Sequence, residues 1–166
     1  MQIKNFRHVG HLDIPGGGQV CVKGGHAYVG HMAPPLATSG VDVSNPRAPK
    51  VVAQLRIPET THCHKARVVG DLLFVNHERF KGHAGFDKPG WAIYNVSRPS
   101  SPREVAFVRT HGDGVHRFDV DERYAYITTE VEGYLGAITV IYDLATPARP
   151  REVSRWWLPG QWTAGG

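Results

Sequence analysis

At 166 residues, with 41% hydrophobic and 20% charged side chains, the chain has the make-up of one globular domain with a sizeable core, which argues against disorder. The net charge of +4 comes from Lys and Arg scattered along the sequence rather than gathered in a run, so no nucleic-acid partner is expected. No apolar run approaches the roughly 18 residues of a membrane helix and the first fifteen residues lack a signal-peptide plan, so no membrane association is expected and the cytoplasm is the expected compartment. Cys21 and Cys63 stand apart with no C-x-x-C pair and read as reduced thiols.

In chain order, Arg7-His8-Val9-Gly10-His11-Leu12-Asp13-Ile14-Pro15 aligns with Lys50 to Pro58, so residues 1–15 are expected to supply an outer strand that closes a further blade. Gly16-Gly17-Gly18 runs into a strand rather than a helix start, and so reads as a crossing and not as a phosphate cradle. Then come two strands joined at Gly24-Gly25, a pairing repeated around Gly70-Asp71 and Asp121-Glu122; these turn pairs lie between β-branched and aromatic residues. Each is followed by a strand ending in Val41-Asp42-Val43-Ser44-Asn45-Pro46, Tyr94-Asn95-Val96-Ser97-Arg98-Pro99 or Tyr142-Asp143-Leu144-Ala145-Thr146-Pro147. In each case a second proline follows three residues later, which fixes φ twice and forbids helix, while the Asp, Asn and Ser ahead of it close side-chain turns.

The period is about fifty residues, and each unit is four short antiparallel strands, a to d. That is the plan of a β-propeller blade rather than of a helical solenoid. The predicted fold is therefore all-β, with about three four-stranded blades over 16–58, 59–110 and 111–160 and a tail at 161–166. Rings of this kind have roughly four to eight blades, so three make an incomplete ring. The chain is expected to be an N-terminal fragment of a longer one or, less favoured, a half that self-associates with a second copy.

The Val-Asp-Val-Ser-Asn-Pro stretch with its following Pro-Lys-Val-Val, together with Gly70-Asp71-Leu72-Leu73-Phe74-Val75, resembles the LVIVD-type repeat of bacterial β-propeller proteins over nearly the whole chain. Ser39-Gly40-Val41 departs from that pattern, which usually has a bulkier apolar residue there. The resemblance implies a six- or seven-bladed ring and little about chemistry.

Function therefore rests on the ten histidines. Strand a lines the channel of a propeller, and residues at one blade position share one radius and height. Registering the units puts His64 and His116 together at the start of strand a, where the first unit has Gly18. His31 pairs with His77 after strand b, at a weaker channel-mouth position where the third unit has Thr129. Glu78 pairs with Glu130, against Met32. Neutral imidazoles with a carboxylate suit zinc, copper, iron or nickel, so His62, His64, His116, Glu78 and Glu130 are the candidate metal set. A repeat also copies structural hydrogen bonds as faithfully as ligands, and such a role for these histidines stays open. In His62-Cys63-His64 the two imidazoles share one face of an extended strand and Cys63 takes the other, as a packed thiol. The long stretch Arg79 to Gly90 is a candidate binding loop or a mobile insertion. Of the adjacent Trp156 and Trp157, one is expected to pack between blades and the other to face a partner.

No G-x-S-x-G elbow or evident acid–base pair is present. Two readings follow: a metal-dependent hydrolase or oxidoreductase acting on a small molecule, or a non-catalytic scaffold for a protein partner.

Overall fold

In a computed structural model that describes residues 4–165, every regular element is a β-strand. The first unit is β1 (Gly17–Lys23), β2 (His26–His31), β3 (Leu36–Asp42) and β4 (Lys50–Arg56), antiparallel and adjacent in that order. The second has β5 (Thr61–His62) and β6 (Ala66–Val69) as two pieces of its first strand, then β7 (Leu72–Arg79), β8 (Gly90–Asn95) and β9 (Arg103–Arg109). The third is β10 (His111–Val120), β11 (Tyr124–Glu130), β12 (Ala137–Asp143) and β13 (Arg151–Trp156). These are the three expected four-stranded blades, and they form an arc: among the described residues no strand of the third blade pairs with the first.

Turn chemistry explains the repetition. Gly24 and Gly25 join β1 to β2 at φ 55° and 75°, the left-handed conformation that a two-residue hairpin demands. At the turn between the third and fourth strands, a side-chain oxygen of Asp42, Asn95 or Asp143 accepts the backbone N–H two residues on, at 2.9, 2.9 and 2.8 Å, closing an Asx turn. The residue in between, Val43, Val96 or Leu144, donates its N–H to the hairpin carbonyl of Gly25, Asp71 or Arg123, each at 2.8 Å. Each blade thus ties its two turns together by the same bond.

The cores lie between blades rather than within them. One gathers Tyr28, Ala37 and Ile57 of the first blade against Cys63, Ala66, Leu73, Val75 and Ala92 of the second. The other sets Phe74, Trp91 and Ile93 against Val115, Ile127, Ile138, Val140 and Tyr142 of the third. Residues on β7 therefore alternate between two buried faces, Leu73 and Val75 toward one core and Phe74 toward the other, and the strand reads as continuously apolar. The outward faces of the end blades stay open, with Val20 and Val22 exposed on β1 and Val153 and Trp156 on β13. Trp157 packs edge-on against Tyr134, ring centroids 5.1 Å apart, so of the two tryptophans it is the packed one. No helix among the described residues is long and apolar enough to cross a membrane.

Residues 4–15 form no strand; residues 1–3 lie outside the described range. β3, β8 and β12 already carry β4, β9 and β13, so the further blade that this segment is expected to close is none of these three. The segment instead passes the proline turn of the first blade, with Gly10 against the backbone of Pro46. The tail is tied to the third blade: Gln161 donates through Nε2 to the carbonyls of Leu135 and Ala137 at 3.0 and 3.1 Å and Trp162 bridges to Tyr134.

The first two blades meet at backbone distance. A Cβ on Gly30 would lie 2.6 Å from the carbonyl oxygen of His64, and neither backbone can yield. Gly30→Ala should cost about 1–3 kcal/mol, as forced overpacking does, and lower the melting temperature in circular dichroism by several degrees. Gly85→Ala, where only Thr60 Cγ2 stands within contact at 3.7 Å, should leave it unchanged.

Candidate metal centre

The first strand of the second blade breaks at Cys63-His64-Lys65, between β5 and β6. Cys63 is fully buried in the core between the first two blades and bridges to His31. Each side of the break is pinned: Gln19 donates its N–H to the His64 carbonyl at 2.7 Å, and Lys65 donates its N–H to Asn76 Oδ1 at 2.8 Å. In the third blade, Val115 faces Thr129 and Arg117 faces Thr128, so His116 is the extra residue of a β-bulge, a device that re-aims a side chain. Glu78 on β7 is registered with His62 on one side and Gly114 on the other. It therefore stands between the inner strands of two blades.

One ligand atom from each of His62, His64 and Glu78 lies within 4.8 Å of the others. His116 reaches the same carboxylate from the next blade, its Nδ1 at 2.8 and 3.0 Å from the two oxygens of Glu78. His64 Nδ1 is 3.8 Å from Glu78 Oε2, too far for a hydrogen bond, and it is buried with no partner. The rings of His62 and His64 meet edge to face with centroids 4.1 Å apart, and those of His64 and His116 are 5.2 Å apart. Burial pushes the His64 imidazole down to about 3, helped by the positive charge of His62, Lys65, His116 and Arg117. Burial likewise lowers His62 and raises Glu78, against the hydrogen bond from His116. At neutral pH His62 and His64 are thus neutral, the form that binds a metal.

Not every candidate residue joins this cluster. Glu130 is not among the converging groups; its Oε2 accepts the N–H of Asp113 at 3.2 Å, and no histidine reaches it as His116 reaches Glu78. His31 and His77 do not line the channel mouth, being 1% and 3% exposed inside the blade contacts. His31 is a structural link, with Nδ1 on the Pro15 carbonyl and Nε2 2.8 Å from Ser39 Oγ. His77 packs edge-on to Phe107 at 5.1 Å, has no polar partner on either ring nitrogen, and is pushed down to about 4, chiefly by burial and then by Lys88. Both are held by their own blade, His31 by Pro15 and Ser39 and His77 against Phe107 of β9.

Two residues that sequence reasoning passed over complete the site. Asn76 is fully buried; its oxygen accepts from Lys65 and its amide donates to the Val115 carbonyl at 2.8 Å, so it sets the spacing between the backbones that carry His64 and His116. Its counterparts are Gly30 and Thr128, so the repeat gave no signal for it. Phe80, at the start of the long loop, stacks on His62 with centroids 5.8 Å apart, and His83 stacks on Phe80 at 5.9 Å. The loop therefore roofs one side of the site, a position that length alone does not reveal.

Asn76→Ala strands a buried N–H and a buried carbonyl, each costing about 1–3 kcal/mol. Urea unfolding should show the lost stability, and nuclear magnetic resonance should show shifts in both His64 and His116.

The buried histidines also set the response to acid. His64 and His77 have folded values of about 3 and about 4 against an ordinary 6.5, so between these values the unfolded chain binds more protons. Their stabilisation is complete above about pH 6.5 and drains away as pH falls toward 4 and then 3. Melting temperature should fall over that range, and His77→Leu, which meets no lost hydrogen bond, should flatten the slope. An unchanged slope would show that His77 is not held neutral by burial.

Comparison with known proteins adds one match. The family model described as LVIVD repeat covers residues 17–55, the whole ladder of the first blade short of the last residue of β4. No curated protein matches the chain. With two further blades of the same strand order and the same turn bonds behind that first one, the match and the all-β architecture fit a repeat protein of the β-propeller type.

Proposed function

We propose that the protein holds a transition metal ion, of zinc, copper, iron or nickel, on His62, His64 and Glu78, and acts there as a metal-dependent hydrolase or oxidoreductase on a small molecule. The observation that carries this reading is the buried, unpartnered Nδ1 of His64 facing two other donors within 4.8 Å. A buried nitrogen without a partner is costly, and an ion would satisfy it. The donor set fits: two neutral imidazoles and a carboxylate are a familiar zinc set that leaves an open coordination position. Such an ion, when bound, would polarise a substrate oxygen or activate water.

The chain's own residues have distinct parts in this reading. His62 and His64 bind. Glu78 binds and balances charge, and its orientation is held by Nδ1 of His116 in the outer shell. The His116 side chain is 53% exposed, so its ring edge away from Glu78 stays open to solvent. Phe80 screens His62 from water on the loop side.

Titrating the metal-free protein with cobalt(II), and following its visible absorption, tests this. One ion per chain should bind, His64→Ala should abolish binding, and His116→Gln should weaken it by about 10–100-fold, as loss of an outer-shell partner does. Binding that never saturates, or that survives in a His62→Ala, His64→Ala double variant, would overturn the proposal. It would turn attention to the scaffold reading, for which the exposed Val153 and Trp156 on β13 are the support.

A further inference from the structure

We propose that Lys65 and Arg117 form an anion subsite in the channel wall beside the histidines, so that the molecule this site takes is small and carries a carboxylate or phosphate group. Its place next to a reacting centre rests on the metal reading above; the binding of the anion itself does not.

Lys65 follows His64 at the strand break and Arg117 follows His116 after the bulge, so the devices that aim the two imidazoles also bring these two cations together. Two residues further along, Arg67 on β6 meets Asp119 on β10 in an ion pair at 3.0 Å, which shows how closely the two inner strands approach. Arg117 shares a face of β10 with Asp119, and Lys65, at the end of the break, precedes Arg67 by two residues, so both stand nearer the histidines along the chain than that pair. They are near enough for Arg117 to bear on Lys65 and for both to bear on His64.

The carboxylates around them are engaged elsewhere. Asp119 pairs with Arg67, Asp113 with Arg79 at 2.9 Å, and Glu78 with His116. Among the described residues neither Lys65 nor Arg117 makes an ion pair or a side-chain hydrogen bond. Lys65 is half-buried and Arg117 exposed, so solvent reaches the pair. Two neighbouring cations repel one another, an effect that Glu78 offsets only in part at Lys65, and an oxyanion between them converts that repulsion into charge-assisted hydrogen bonds. The planar fork of Arg117 suits a carboxylate or phosphate in two-point contact.

Inorganic phosphate titrated calorimetrically into the metal-free protein at neutral pH is the test, with malonate as the carboxylate arm. Saturable binding of either anion is expected. The Lys65→Gln, Arg117→Gln double variant should weaken it by at least about tenfold, in line with the loss of charge-assisted bonds. Arg117→Lys should retain more affinity than Arg117→Gln, and Arg98→Gln, on a distant turn, should change nothing. Absence of saturable binding, or equal affinity in the folded double variant, would overturn the subsite. Because no metal is present, cobalt failing while phosphate binds sinks only the metal reading, and the converse sinks only this one.

Discussion

The arc depends on one strand that has no solvent face. β7 gives Leu73 and Val75 to the core shared with the first blade and Phe74 to the core shared with the third, and Asn76 and His77 continue the burial. Such a strand cannot slip by one residue without exchanging the contents of both cores. Its register is therefore fixed from two sides at once. The site inherits that precision, because Glu78 and Asn76 are the next residues along the same strand. Asn76 bonds to the inner strands of two blades, and Glu78 lies in register with both. The geometry at the histidines is thus set by packing that lies deeper in the fold.

The blades were legible in the sequence because turn chemistry is local. A pair of prolines three apart, an Asx turn ahead of them and a two-residue hairpin upstream state their conformation within a few residues, and three copies remove ambiguity. What needed the three-dimensional structure was tertiary contact. Residues 4–15 carry the pattern of an outer strand, and because β3, β8 and β12 already have their own, the blade it would close is none of these three. Register places His31 and His77 at the channel mouth, but it cannot say that each is buried against groups of its own blade.

The histidines show how a repeat can mislead about roles while informing about location. His64 and His116 occupy equivalent positions and do come close, at 5.2 Å between rings. Their surroundings differ, because His64 is enclosed by the first blade, whereas His116 sits in a bulge on the more open side and is committed to Glu78. Equivalent positions thus produce a buried neutral donor and an exposed partner of a carboxylate. Glu130 extends the lesson: it repeats Glu78, but no imidazole of the described chain comes to it. Asn76 and Phe80 escaped notice for the opposite reason, since each occurs once, and the periodicity that singles out repeated residues is blind to single ones.

The bond from Val43 to Gly25, and its counterparts from Val96 to Asp71 and Leu144 to Arg123, has a wider consequence. In an up-and-down blade the first and third turns lie at one end, and the loop between the second and third strands lies at the other, with the entry to the next blade. The end with the stitched turns has little freedom: its conformation is dictated three times over by proline, Asx oxygen and shared carbonyl. The opposite end carries the strand break, the bulge, the long loop and every group of the candidate site. Changes at the first end are paid in folding, while changes at the second alter what the protein can bind, so new specificities can be built there without disturbing the scaffold.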